Sequence, residues 1–137
     1  MSTREILYRG KRIDNGEWAE GLPSYNADGY ITEIEVLKRF KDNYFIDVHP
    51  ETVCQYTGLT DKNERKIFEG DIINVTDCGI RCGTGDASFE DGAWYVSGEL
   101  QERLYWLDDY IDYEFEVIGN IFDNPELLGD GGEESEK

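Results

Sequence analysis

Hydrophobic and polar residues alternate along this chain in short runs separated by frequent glycine, asparagine and aspartate, which is the punctuation of a β protein. The first run, Ile6-Leu7-Tyr8-Arg9-Gly10-Lys11-Arg12-Ile13, leads through Asp14-Asn15-Gly16 into Glu17-Trp18-Ala19-Glu20-Gly21-Leu22. Asn-Gly between two such runs predicts a hairpin, because both central residues of a type I′ turn need positive φ. Tyr30-Ile31-Thr32-Glu33-Ile34-Glu35-Val36 alternates with a period near two, as a half-buried strand does. The basic stretch Lys38-Arg39-Phe40-Lys41-Asp42-Asn43 reads as the turn that closes it, and Tyr44-Phe45-Ile46-Asp47-Val48 as a further short strand.

His49-Pro50-Glu51 breaks the pattern, since proline cannot donate to a strand ladder. A strand over residues 52–58 and a turn over Asp61-Lys62-Asn63-Glu64 follow. Residues 66–75 are apolar on both sides of Gly70, which predicts one strand ending, a tight bend and another beginning, the corner that small barrels use. Residues 76–86, rich in glycine and carrying Cys78 and Cys82, read as a loop, and residues 87–96 and 104–111 as weaker strands. Residues 113–122 begin as clean alternation and continue as an apolar run, a strand or a pair broken at Gly119. Asn124 and Pro125 are placed as cap and first residue of a single helical turn. Residues 1–128 are expected to form one domain, and residues 129–137, with no apolar side chain, a disordered acidic tail.

Charge sharpens this picture. Of 137 residues, 13 are basic and 31 acidic, a net of −18. Residues 69–137 hold 3 basic and 19 acidic side chains, so nearly all of the excess lies in the second half. Direct contact with a phosphate backbone relies on clustered Lys and Arg, so nucleic-acid binding is disfavoured; the local basic group Arg4, Arg9, Lys11 and Arg12 is the one place read as open to such contact, and four charges are few. No apolar run approaches the roughly 18 residues of a membrane span, and Met1-Ser2-Thr3-Arg4-Glu5-Ile6 shows no apolar stretch behind its positive charge, so a cytoplasmic protein without a secretory signal is expected.

Three stretches in order resemble the YopX family. They are Arg4-Glu5-Ile6-Leu7-Tyr8-Arg9-Gly10-Lys11 with Gly16-Glu17-Trp18-Ala19-Glu20-Gly21; Thr52-Val53-Cys54-Gln55-Tyr56-Thr57-Gly58-Leu59-Thr60-Asp61-Lys62-Asn63 with Ile67-Phe68-Glu69-Gly70-Asp71-Ile72-Ile73; and Val117-Ile118-Gly119-Asn120-Ile121-Phe122-Asp123-Asn124-Pro125-Glu126-Leu127-Leu128. The resemblance implies a compact SH3-like β-barrel with hairpin extensions, a bacteriophage or prophage origin and hence the bacterial host cytoplasm. It implies no reaction. Glu64 stands where a glycine commonly follows Asn63, and the middle, from residue 77 to about 110, departs from the pattern.

The residues carry no catalytic signature: His49 is the single histidine, and no nucleophile elbow, Walker A or zincin motif occurs. Cys54, Cys78, Cys82 and His49 would make a Cys3His zinc set, but two of these ligands lie more than twenty residues from the other two, so reduced thiols are expected and no metal or cofactor. Asp108, Asp109, Asp112, Glu114 and Glu116 form the candidate acidic partner surface. Same-face strand residues lie about 6.7 Å apart, too far for one row to converge on a single cation, so Tyr113, Phe115 and Val117 are placed in the core with the carboxylates in solvent. The aromatic residues are expected mainly in the core. The function expected is that of a small phage- or prophage-encoded, non-enzymatic domain acting by protein contact, with a partner protein or a second copy of itself. The alternative is an acidic DNA mimic that inhibits a basic host nucleic-acid-binding protein; a metal-dependent hydrolase ranks third.

Overall fold

A computed structural model describes residues 5–36, 44–98, 101–103 and 113–128. The expected turn at 38–43, the weak strand at 104–111 and the tail at 129–137 lie outside these residues. The protein is mostly β, with two antiparallel sheets, and comprises two compact units, Met1–Gly58 and Leu59–Lys137, each with a core of its own.

The first unit holds β1 (Tyr8–Lys11), β2 (Trp18–Tyr25), β3 (Ile31–Val36), β4 (Tyr44–Asp47) and the start of β5 (Cys54–Thr60), in the hydrogen-bonded order β4-β3-β2-β1-β5. The predicted β1–β2 hairpin forms, with Lys11 opposite Trp18. Its turn differs from the expected type I′: only Gly16 takes positive φ, at 74°, and the Asn15 side chain accepts the Glu17 N–H at 2.9 Å. An asparagine that can satisfy the backbone through its own amide oxygen has no need to enter the left-handed region. Alternation on β3 and β4 buries Ile34 and Val48 against Ala19, with Tyr8, Val36, Ile46 and Val53 packed around them. Beyond β4 the predicted break is a 3-10 turn, Pro50–Thr52, whose buried Thr52 hydroxyl accepts the Lys11 N–H at 2.8 Å.

The end of β4 is tied back to the end of β1. His49 N–H donates to the Lys11 carbonyl at 2.8 Å, Ile13 N–H donates to the Asp47 carbonyl at 3.1 Å, and Arg12 bridges Val48 between them. Closure stops there, because the chain after Ile13 turns away into β2.

In the second unit, β6 (Lys66–Phe68) follows the end of β5, and a separate sheet is built from β7 (Asp71–Asp77), β8 (Ile80–Glu90), β9 (Ala93–Gly98), β10 (Gln101–Arg103) and β11 (Tyr113–Asn120), in the order β10-β9-β8-β7-β11. The predicted bend at Gly70 separates β6 from β7, and the buried Asp71 carboxylate accepts the Phe68 N–H across it at 2.7 Å. Ile67, Ile73, Val75, Ala87, Val96, Phe115 and Val117 form the core.

Two expectations need correction here. Residues 76–86 are no loop: they are the end of β7, a two-residue turn at Cys78-Gly79 and the first half of β8. The predicted strand at 87–96 is likewise a hairpin, turning at Asp91-Gly92. Both turns have positive φ at both residues, 52° and 83° in the first and 49° and 83° in the second, the geometry whose twist matches antiparallel strands. Glycines that looked like loop signals sit inside a strand because neighbouring backbone approaches closely; a Cβ on Gly85 would meet the Ser97 carbonyl oxygen at 2.5 Å. The C-terminal turn Pro125–Leu128 forms as predicted, but as a 3-10 turn capped by the backbone carbonyl of Asn124 (Leu127 N–H, 3.0 Å), while the Asn124 side chain accepts the Asn120 N–H at 3.2 Å.

Candidate functional site

Of the five acidic residues proposed as a partner surface, Asp108, Asp109 and Asp112 lie outside the described residues. Glu114 and Glu116 stand on β11, on the face away from buried Phe115 and Val117, as the alternation requires. They do not form a bare row. Lys62 places its Nζ 4.0 Å from Glu114 and 3.9 Å from Glu116 and bridges them.

Lys62 is held by the predicted turn at 61–65, which lies along the outer edge of β11. Asp61, only 3% exposed, accepts the Asn63 and Arg65 N–H groups on one carboxylate oxygen, each at 2.9 Å, and the Val117 N–H on the other at 2.9 Å. Lys62 N–H donates to the Phe115 carbonyl at 2.9 Å, and the Arg65 guanidinium to the Val117 carbonyl at 3.2 Å. Three backbone groups that β11 would otherwise offer to another strand, the Phe115 carbonyl and the Val117 N–H and carbonyl, are thus taken up by two side chains and one turn amide. Glu64 completes the turn at φ 65°, the left-handed conformation that a glycine adopts without strain.

The other chemistry-bearing residues are dispersed. Cys54 is buried and its thiol donates to the Thr52 carbonyl at 3.1 Å, whereas Cys78 and Cys82 are exposed along the β7–β8 hairpin. Among the described residues, no three His, Cys, Asp or Glu side chains are grouped so as to hold a metal ion. On the β8–β9 face the Ser88 and Ser97 hydroxyls donate to Glu90 at 3.0 and 2.9 Å. Nearby Asp86 has its carboxyl raised above the ordinary value, by burial first and then by the charge of Glu90. Of the local basic group, Arg4 lies outside the described residues and the other three are engaged within the fold: the Arg9 guanidinium stacks 4.4 Å from the Trp18 ring, Lys11 lies 5.6 Å from it, and Arg12 grips Asp14 through two hydrogen bonds of 2.9 and 2.8 Å. That grip holds the Asp14 carboxyl below its ordinary range.

The groove that the sequence reading missed lies where closure of the first unit stops. Arg12, Ile13 and Asp14 form one wall and Tyr44, Phe45, Ile46 and Asp47 the other, around about 340 Å³. Ile13 and Phe45 are more than half exposed, at 56% and 54%, and Tyr44 is 42% exposed. Val48 N–H bonds to Thr32, so alternation along the ladder aims the backbone groups of Tyr44 and Ile46 at β3 and those of Phe45 and Asp47 away from it. Ile13 takes the Asp47 carbonyl; the Phe45 N–H and carbonyl meet no partner among the described residues. The signal was present in the sequence. Ile46 and Val48 occupy the inward phase of the strand, which leaves Phe45 an aromatic residue in the solvent phase.

The chain is thus all-β, with an apolar groove beside the edge strand β4. A family model described as YopX protein matches residues 7–129, and the chain belongs to that family. A solved structure, protein EF1440 from Enterococcus faecalis, shares 24% sequence identity over 93% of this chain and 100% of that chain, with a TM-score of 0.56, a similarity of fold. No curated protein matches the sequence. Among the described residues, no helix is long and apolar enough to cross a membrane.

Proposed function

We propose that this chain is a small phage- or prophage-encoded protein that acts by contact with another protein rather than by catalysis, and that the contact is made at the groove beside β4. The observation that carries the reading is the exposure of Ile13, Tyr44 and Phe45 around an open edge strand, since large apolar side chains gathered in a concave surface mark interaction sites on soluble domains. Resemblance to phage and prophage proteins of the family supports the origin. The acidic row on β11 supports a phosphate mimic less well, because Lys62 already neutralises part of it.

The reading is tested by affinity capture from host lysate with wild-type, Phe45→Ser and Glu116→Gln proteins as baits. A partner retained by Glu116→Gln and lost with Phe45→Ser is the expected result. A captured set unchanged by Phe45→Ser, in a variant that melts as wild type does, would overturn the assignment of the contact to this groove.

A further inference from the structure

Resting on the groove as a protein contact, we infer that its occupant is an extended segment of basic character, which adds to β4 as a further strand. Three observations converge on that class of partner. The first is the backbone: the Phe45 N–H and carbonyl point outward from the sheet edge and meet no partner among the described residues, and an added strand offers them an acceptor and a donor. The bond from Ile13 to Asp47 limits the addition to the 44–46 stretch and fixes where the incoming strand must diverge.

The second is charge. Glu33 of β3 stands directly opposite Asp47 of β4, and both project from the face that carries Phe45. Like charges directly opposite on a sheet are destabilising, and neither carboxylate meets a cation among the described residues. The neighbouring cation on the groove wall, Arg12, is committed to Asp14.

The third is shape. The residue of an added strand opposite Phe45 projects from this same face at about 5 Å and lies diagonally from Asp47 at about 7–8 Å, within reach of a long side chain. A Lys or Arg there lays its apolar stem over the Phe45 ring and brings its charge to Asp47, and from there to Glu33. An Asp or Glu in that position adds a third like charge. The alternate side chains of the added strand face Tyr44 and Ile46, which favours apolar residues between the basic ones.

The test uses the full chain and a synthetic peptide alternating valine with lysine, with serine-for-lysine and glutamate-for-lysine versions as comparators, followed by binding isotherms and amide shift mapping. Basic peptides gather on any strongly anionic protein, so location and variants decide the outcome. The expected result is saturable binding that shifts amides at 33–35 and 44–47. The Glu33→Gln/Asp47→Asn double variant should weaken it about fivefold, as two exposed ion pairs would, and Glu114→Gln/Glu116→Gln should leave it unchanged. If the serine peptide binds the same amides as tightly as the lysine peptide, the basic character is wrong while the groove stands. If Phe45→Ser leaves the binding of every peptide unaltered, or the shifts map elsewhere, the groove itself is wrong.

Discussion

Asp61 shows how much one side chain organises. Its carboxylate, almost fully buried, accepts three backbone N–H groups, so removing it leaves the buried Val117 N–H without a partner and turns those of the exposed Asn63 and Arg65 back to water. Asp61→Ala should cost about 1–3 kcal/mol, the cost of one orphaned buried donor, and Asp61→Asn should cost less because one oxygen remains. Chemical denaturation of the two variants checks the order. Glu64, three residues on, carries the opposite opportunity. A non-glycine residue in the left-handed region is held against about 1 kcal/mol of steric cost, so Glu64→Gly should raise stability by about 0.5–1 kcal/mol, less whatever chain entropy the glycine adds. A third position tests close approach. A Cβ on Gly119 would meet Asn124 Oδ1 at 2.6 Å, and Gly119→Ala should lower the melting temperature by forcing that side chain off the Asn120 N–H.

Among the elements, alternation was legible wherever one face is buried and the other wet. It placed the strand at Ile31–Val36, the strand at Tyr44–Asp47 and the inward set Phe115 and Val117, because a period of two leaves no other way to bury those side chains. The bend at Gly70 was legible for the same reason, as apolar runs on both sides demanded a reversal. The β7–β8–β9 meander was not. Its strands carry Gly83, Gly85, Thr84 and Ser88, whose small side chains erase the periodic signal, and its turns use Cys78-Gly79 and Asp91-Gly92, of which only the second is a familiar hairpin pair. Cys78→Asn should therefore stabilise the hairpin, since asparagine enters the left-handed region more readily than cysteine; a rise in melting temperature checks this. The groove escaped notice because it depends on where β4 stops pairing with the β1 exit, a matter of long-range register. Glu114 and Glu116 were placed on the correct face, but their bridge to Lys62 rests on a turn some fifty residues earlier in the chain.

For the molecule as a whole, the net charge of −18 makes stability a function of salt. Raising ionic strength from about 0.15 M to 1 M shortens the screening length from about 8 Å to 3 Å, so the melting temperature should rise with sodium chloride. Acidity enters through Asp86 as well. The folded protein holds that carboxyl proton more tightly than the unfolded chain does, so its contribution favours folding below the ordinary carboxylate range and is lost as pH climbs through the raised value. Asp86→Asn should flatten this part of the profile of urea midpoint against pH.

The clamp of Asp61, Lys62 and Arg65 on β11 bears finally on how the protein behaves when crowded. A strand with the Phe115 carbonyl and both Val117 backbone groups already occupied is a poorer template for a neighbouring chain at that stretch, so edge-to-edge growth there is opposed by three residues rather than by another layer of protein. Loss of the Asp61 carboxylate would hand the Val117 N–H back to that edge.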